Sequence, residues 1–468
     1  MINKDGIFAY YQVLADKRLK WKKRNRFYHS LMVKYFRFLI PEGSRVLEIG
    51  SGTGELLDAV KPSYGLGIDL SPNMTEIAKR QFPELVFITQ DAENLELEET
   101  FEYVILSDVI GSLWDVQCAV ANLRKVTDNQ SRLIISHYNF LWEPTLRFLE
   151  LLGLKARQPL QSWLSMKDIV RIFELEGFEC FKTMRKVLFP ARIPLVNWFF
   201  NTFLANLPLI NHLCLVNFII ARKVEETSPD YSVSIVVPAR NEKGNIENAI
   251  LRTPRFCSWM EFIFIEGHSK DNTYEEMLRI KEKYPDLRIK VDVQSGIGKA
   301  NAVREGFEMA EGDILMILDA DLTTPPEDMP KFYEAIRQNR GEFINGSRLV
   351  YPMEDEAMRM LNFLGNKFFS LFFSFLLNQH VKDTLCGTKV LLRSNYLKIK
   401  DNRKYFGDFD PFGDFDLLFG ASKLNLKISE VPVRYRRREY GSTQINKIKH
   451  GWLLIRMSMF AARKIKFI

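Results

Sequence analysis

Twice along this chain an apolar strand runs through a turn into a helical pattern, first from Val46 and again from Val233. A strand that turns directly into a helix opens a parallel sheet covered by helices, so two such starts predict two α/β domains. Length agrees: single hydrophobic cores stop growing beyond about 250–300 residues, and this chain has 468.

Between the two patterns lies KVEETSPD, Lys223 to Asp230, a polar stretch of linker composition after the apolar run CLVNFIIA. It predicts domains at 1–224 and 231–468. The expected fold class is α/β, two Rossmann-like doubly wound domains. Strands are predicted at 45–49, 65–69, 85–89, 103–107 and 132–136, then at 233–238, 261–266, 287–293 and 314–319, alternating with helices as parallel sheets require.

Hydrophobic content of 46% and charged content of 26% are those of a globular protein. Five scattered cysteines, never spaced as CxxC, argue against a disulfide framework or zinc site and for a reducing compartment. The first thirty residues hold many Lys and Arg and no apolar run of signal-peptide type, so a cytoplasmic location is expected. From Ile193 to Ala221 there is no charged residue, yet Pro194, Pro208 and the asparagines at 197, 201, 206, 211 and 217 argue against a continuous membrane span. The segment reads as an apolar insertion followed by the last strand of the first domain. A net charge of +7 is modest and no nucleic-acid partner is expected, although KRLKWKKRNR, Lys17 to Arg26, keeps a nucleic-acid methyltransferase among the rivals.

VLEIGSGTG, Val46 to Gly54, brings backbone close to a ligand through three glycines. One strand later GIDLSPNM ends in Asp69, suited to two ribose hydroxyls, and after the next strand QDAENL offers Asp91 near an adenine amino group. This ordered series, over residues 40 to 222, resembles class I S-adenosylmethionine-dependent methyltransferases. The resemblance implies Glu48, Gly50, Gly52 and Gly54 around the amino-acid end of the cofactor, Asp69 on its ribose, and Asp91 with Ala92 at its adenine. SDVIGSLWD, Ser107 to Asp115, matches the family's fourth-strand end. His137, in IISHYNFLW, is the candidate base for a methyl acceptor that the sequence does not name.

In the second half ILMILDADLTTPPEDM puts Asp319 and Asp321 at the end of an apolar strand, where paired carboxylates suit Mg²⁺ or Mn²⁺. With SIVVPARNEKGNI, FIFIEGHSKDNT and GIGKANAVREGFEMAEGD, the series resembles family 2 glycosyltransferases of the GT-A fold, across residues 231 to 445. It implies Pro238, Asn241 and Glu242 beside a nucleotide-sugar, Lys299 after the glycine loop, and Asp319 shared by nucleotide and metal. Where many relatives carry DDGS this chain has Glu266 and Gly267, so Glu266 is expected beside the nucleotide-sugar with one carboxylate short. GSR at 346–348, DTLCGTK at 383–389 and EVPVRYRRREYGSTQI at 430–445 resemble the polyprenyl-phosphate branch, the relatives of dolichol-phosphate mannose synthase. Arg348, Lys389 and Arg438 are then expected on the acceptor phosphate, with Gln444 standing where Lys is frequent and Lys447 as a substitute. Asp416, with Asp414 second, aligns with the family's acceptor-side acid; a hydroxyl acceptor would need such a base.

From Arg359 to Asn378 the residues Asn362, Asn366, Ser370, Ser374 and Asn378 recur every four positions amid Phe and Leu. Such a helix suits a membrane interface or burial between domains or subunits. The basic end of the chain, including Lys447, Lys449 and Arg463 beside Trp452, suits an anionic bilayer or a solvated face equally. The expected activity is metal-dependent sugar transfer from a nucleotide donor to polyprenyl phosphate at the cytoplasmic face of a membrane, with methylation in the same pathway. The alternative is transfer to a glycan hydroxyl beside a non-catalytic S-adenosylmethionine-binding module.

Overall fold

The computed structural model describes residues 4–467 apart from 157–161, 226–228, 351–359, 406–412, 439 and 441–454. Gln444, Lys447, Lys449 and Trp452 lie outside the described residues, as do the side chains of Asn362, Asn366 and Asp414. The chain divides into two compact units, Met1–Glu225 with Phe467 and Glu226–Lys466 with Ile468.

The first unit runs α1(Lys4–Arg24), α2(Arg26–Leu39), β1(Arg45–Ile49), α3(Glu55–Ala59), β2(Tyr64–Asp69), α4(Pro72–Gln81), β3(Val86–Thr89), β4(Tyr103–Ser107), α5(Val116–Leu123), β5(Arg132–Tyr138), α6(Glu143–Leu151), α7(Met166–Leu175), β6(Phe178–Lys186), α8(Val196–Thr202) and β7(Val216–Lys223). Strand order is β3-β2-β1-β4-β5-β7-β6. Strands β1 to β5 are parallel, and the near-continuous burial of β1, β2, β4 and β5 explains their unbroken apolar runs. The sheet is not parallel throughout: β7 runs antiparallel to both β5 and β6. Helix starts are written locally. Ser71 caps α4 ahead of Pro72, and Ser165 with Asp168 forms a capping box on α7.

The second unit runs β8(Val233–Ala239), α9(Ile246–Leu251), β9(Met260–Glu266), α10(Thr273–Lys283), β10(Arg288–Val293), α11(Lys299–Met309), β11(Ile314–Ile317), α12(Met329–Arg337), β12(Phe343–Ser347), α13(Met360–Leu377), β13(Lys389–Leu392), α14(Arg393–Asp401), α15(Asp414–Lys423) and β14(Ile428–Pro432). Its order is β10-β9-β8-β11-β13-β12-β14, with β13 antiparallel to both neighbours. This sheet too is mixed rather than all-parallel, because β13 reaches the sheet through α13 from the opposite end.

Helix α13 turns its serines inward. Ser370 and Ser374 both donate to the Val381 carbonyl, and Ser374 also accepts from the Val381 amide. Phe373 packs on Phe415 and Phe419 of α15, while Phe368 and Leu371 face outward. Among the described residues no helix is long and apolar enough to cross a membrane.

Candidate functional site

In the first unit the carboxyl ends of β1, β2 and β4 open into a cavity of about 290 Å³. Glu48, Gly50, Gly52, Asp69, Asp91 and Ala92 all line it. The glycines carry the turn in left-handed backbone, with Gly50 at φ 71° and Gly52 at φ 54°. Both Asp69 oxygens accept backbone amides, from Gly52 at 2.8 Å and Ser71 at 2.9 Å, which aims the carboxylate into the cavity. Gly54 is not a lining residue. A Cβ there would stand 2.6 Å from Phe87, so this glycine lets α3 pack on the sheet.

The cavity holds buried polar atoms without hydrogen-bond partners: Glu48 Oε2, Ser51 Oγ, Gln90 Oε1 and Arg18 Nε. Orphaned groups of both signs cost stability unless a ligand answers them. Burial pushes the Glu48 carboxyl up to about 8, against the nearby Lys22 ammonium. The roof is α1, whose Tyr11, Leu14, Arg18, Trp21 and Lys22 line the cavity together with Tyr28 and His29 of α2. Nothing in the sequence pattern of these helices announced that role.

His137 does not line this cavity. Side chains alternate along β5, so Ser136 and Tyr138 face the Asp108 side while His137 turns away, buried, to Asn217 at 3.3 Å. Burial lowers its imidazole to about 4. In its place stands Asp108, at φ 53° after β4, accepting from Tyr28 Oη at 2.7 Å and Ser136 Oγ at 3.1 Å. Burial raises the Asp108 carboxyl above the usual range. It lay inside the quoted SDVIGSLWD, but only the fold brings Tyr28 to it.

In the second unit Asp319 and Asp321 stand just beyond β11. Lys299, first residue of α11, reaches Asp319 Oδ1 at 2.5 Å. Burial alone would raise the Asp319 carboxyl, but Lys299, helped by Lys389 and Arg348, holds it below the usual range. Gly387 is obligatory here, since a Cβ would lie 1.9 Å from Asp319 Oδ2. Asp321 accepts from Thr323 Oγ1 at 2.8 Å and from Arg438 Nη2 at 2.6 Å. Arg438 also donates to Glu242 at 3.3 Å. Burial pushes Glu242 up to about 7, against Arg438 and the Asn245 amide.

Two hard carboxylates at one strand end suit a divalent cation that takes its remaining ligands from a diphosphate. Among the described residues no three His, Cys, Asp or Glu side chains converge as a metal cage.

Pro238 is half-buried near the end of β8, and Asn241, at φ 57°, ties its loop to 269–270 through Ser269 Oγ and the Lys270 amide. Glu266 spends both oxygens on the amides of His268 and Ser269, so it shapes the turn instead of replacing the missing aspartate. Beside it Gln294, unremarked in the sequence, is buried with Oε1 unpartnered.

Two of the three expected phosphate cations have protein partners of their own. Arg348 is clamped by Asp383 at 2.7 and 2.8 Å, and Lys389 is fully buried with Nζ donating to the Cys386 carbonyl. Arg438 is the one that stands at the carboxylates. Asp416, the expected acceptor-side acid, is buried and paired with Arg304 at 3.2 Å and Arg403 at 3.1 Å, holding α15 to α11. Gly413, the residue before α15, abuts Ala300 of α11.

Two ligand cradles at the carboxyl edges of two α/β sheets define a tandem of Rossmann-like ligand-binding domains. Residues 21–183 match the family model described as a methyltransferase domain, and residues 234–399 the model of glycosyl transferase family 2. The chain carries a methyltransferase domain followed by a family 2 glycosyltransferase domain. It is 35% identical over 120 residues to a dolichol-phosphate mannosyltransferase of Pyrococcus furiosus, covering 25% of this chain and 33% of that one. To a UDP-N-acetylglucosamine–dolichyl-phosphate N-acetylglucosaminyltransferase of Methanococcus voltae it is 25% identical over 50% of this chain and 98% of the other. An undecaprenyl-phosphate 4-deoxy-4-formamido-L-arabinose transferase of Edwardsiella ictaluri is 33% identical over 46% of this chain and 64% of its own. The chain thus spans only about a third of the Pyrococcus relative. Among solved structures, a methyltransferase from Thermotoga maritima aligns with 46% of this chain and 99% of its own at 18% identity and TM-score 0.38. The fold rests on the strand order above, not on that likeness.

Proposed function

We propose that the second unit moves a sugar from a nucleotide donor to polyprenyl phosphate at the membrane surface, and that the first unit binds S-adenosylmethionine and methylates an acceptor of the same pathway. The observation that carries the transferase reading is the set of Asp319, Asp321, Glu242, Lys299 and Arg438 at one strand end, in a chain whose named relatives act on polyprenyl phosphates. Asp319 and Asp321 would hold Mg²⁺ or Mn²⁺, which offsets charge on the departing diphosphate. Lys299 and Arg438, freed from the carboxylates, are within reach of phosphate oxygens. Pro238, Asn241 and Gln294 would border the nucleotide. A phosphate acceptor is already ionised and needs no base, which agrees with an Asp416 locked between two arginines. For the first unit the orphaned atoms around Glu48 and Arg18 support a zwitterionic cofactor, and Asp108, paired with Tyr28, would take a proton from the acceptor.

The test is incubation of the purified chain with Mn²⁺, polyprenyl phosphate and a panel of sugar nucleotides, followed by mass spectrometry of the lipid product. Wild type makes a glycolipid and Asp321→Ala does not. Diphosphate release with no lipid product removes the polyprenyl-phosphate acceptor.

A further inference from the structure

The uncharged segment expected as an insertion emerges at a telling place. Val216, which opens β7, pairs with both Tyr138 and Lys186, so the chain between β6 and β7 leaves the sheet at the carboxyl edge of β5, the edge on which the cofactor cavity opens. There it forms two Pro-Leu tips. Leu195 after Pro194 and Leu209 after Pro208 both carry positive φ, 65° and 70°, each in a tight turn closed by the following amide donating to the proline carbonyl, and are 80% and 83% exposed. A leucine is a poor choice for that backbone and for water alike, since glycine fits the first and any polar residue the second. Trp198 stands exposed between the tips.

Helix α6 extends the same face. Its entry is pinned to the insertion by Trp142 Nε1 donating to the Leu213 carbonyl at 2.8 Å and Asn139 donating to the His212 and Cys214 carbonyls. It presents Leu151, 86% exposed, and Leu152 to the outside. The carboxylates of α6 are neutralised, Glu143 by Arg147 and Glu150 by Lys155. At the tail of α6 the Gly153 carbonyl accepts from Arg24, which brings the exposed cations Lys20, Lys23, Arg24 and Arg26 to the border of the apolar face.

We infer that this face of the methyltransferase unit docks on an anionic lipid bilayer, with the two leucine tips and Trp198 entering the headgroup boundary and the basic end of α1 resting on acidic headgroups. Apolar tips beside a tryptophan and a basic rim are what an interfacial protein presents to such a surface. A second copy fits less well, because twofold pairing of the face would oppose two basic rims. Docking turns the mouth of the cavity toward the headgroups, so the methyl acceptor is a lipid or a lipid-linked glycan. That last clause rests on the pathway proposed above; the docking itself does not.

The full chain is floated with vesicles of phosphatidylcholine and phosphatidylglycerol, and with phosphatidylcholine alone. Wild type floats with the anionic vesicles. The pair Leu195→Asn and Leu209→Asn, which replaces both apolar tips by polar side chains of similar size, lowers the bound fraction at least about tenfold. The pair Lys20→Gln and Lys23→Gln lowers it to the level seen on neutral vesicles. Undiminished binding of S-adenosylhomocysteine by calorimetry establishes that both variants are folded. Flotation equal to wild type in both variants, or a wild type that stays in solution, overturns the inference. A wild-type dimer that the leucine variant dissociates, with neither floating, makes the face a contact between copies and overturns it too. Sugar transfer measured in detergent separates the two readings: its failure with flotation intact sinks the transferase proposal alone.

Discussion

Glu48 is the residue whose environment makes the sharpest demand. Its carboxyl is held near 8 by burial, and a cationic ligand entering the cavity favours its ionised form. Below that value a proton must leave before the cation binds, so affinity for S-adenosylmethionine rises by up to about tenfold per pH unit and levels off above about pH 8. Calorimetry in two buffers of different ionisation enthalpy detects the released proton, and Glu48→Gln removes both the release and the pH dependence. Asp416 gives a contrasting expectation. Asp416→Asn breaks two ion pairs with partly exposed arginines and costs about 1–3 kcal/mol in urea denaturation, while glycolipid formation survives under native conditions. Loss of turnover with unchanged stability would restore it as the base. Arg438→Ala frees Asp321 and is expected to tighten Mn²⁺, read by paramagnetic resonance, while raising KM for the lipid phosphate.

At the scale of elements, motif residues within a few positions of a strand end stand together in the fold, whereas residues picked singly along the chain do not all join them. The turn after β1 and the loop after β11 follow from glycine and aspartate at fixed offsets from an apolar strand, and both were legible. His137 and Asp416 were assigned by position along the chain, but strand alternation points one away and two arginines claim the other. Helix α1 was illegible as a roof, because its pattern is amphipathic in no simple way and its partner is a cavity. Cofactor binding should order it: S-adenosylhomocysteine is expected to slow amide exchange in α1 at least about tenfold, since opening the roof then exposes the ligand. Exchange unchanged by the ligand would remove α1 from the site. Gly54→Ala is expected to lose more than about 1 kcal/mol of stability without weakening the cofactor contacts directly, because its backbone is left-handed and its free face meets Phe87.

For the whole molecule, two compact units with separate cores predict two ligand-specific responses. In scanning calorimetry S-adenosylhomocysteine at a hundred times its Kd adds about 2.7 kcal/mol to the unit that binds it, and a nucleoside diphosphate with Mn²⁺ acts on the other. A single transition raised equally by either ligand would contradict that division.

By itself the sequence determined the tandem of α/β domains, the strands that carry the glycine turn and the paired aspartates, and the resemblance to two transferase families. Those features are local, written in apolar runs and fixed spacings of a few residues, which backbone geometry translates directly. Only the tertiary structure decided that β7 and β13 run antiparallel, that Arg348 and Lys389 are spent inside the protein, that Asp108 meets Tyr28, and that an uncharged insertion shares an edge with the cofactor cavity. Each depends on which distant segments pack together, and burial and pairing across such distances leave no period or spacing in the chain.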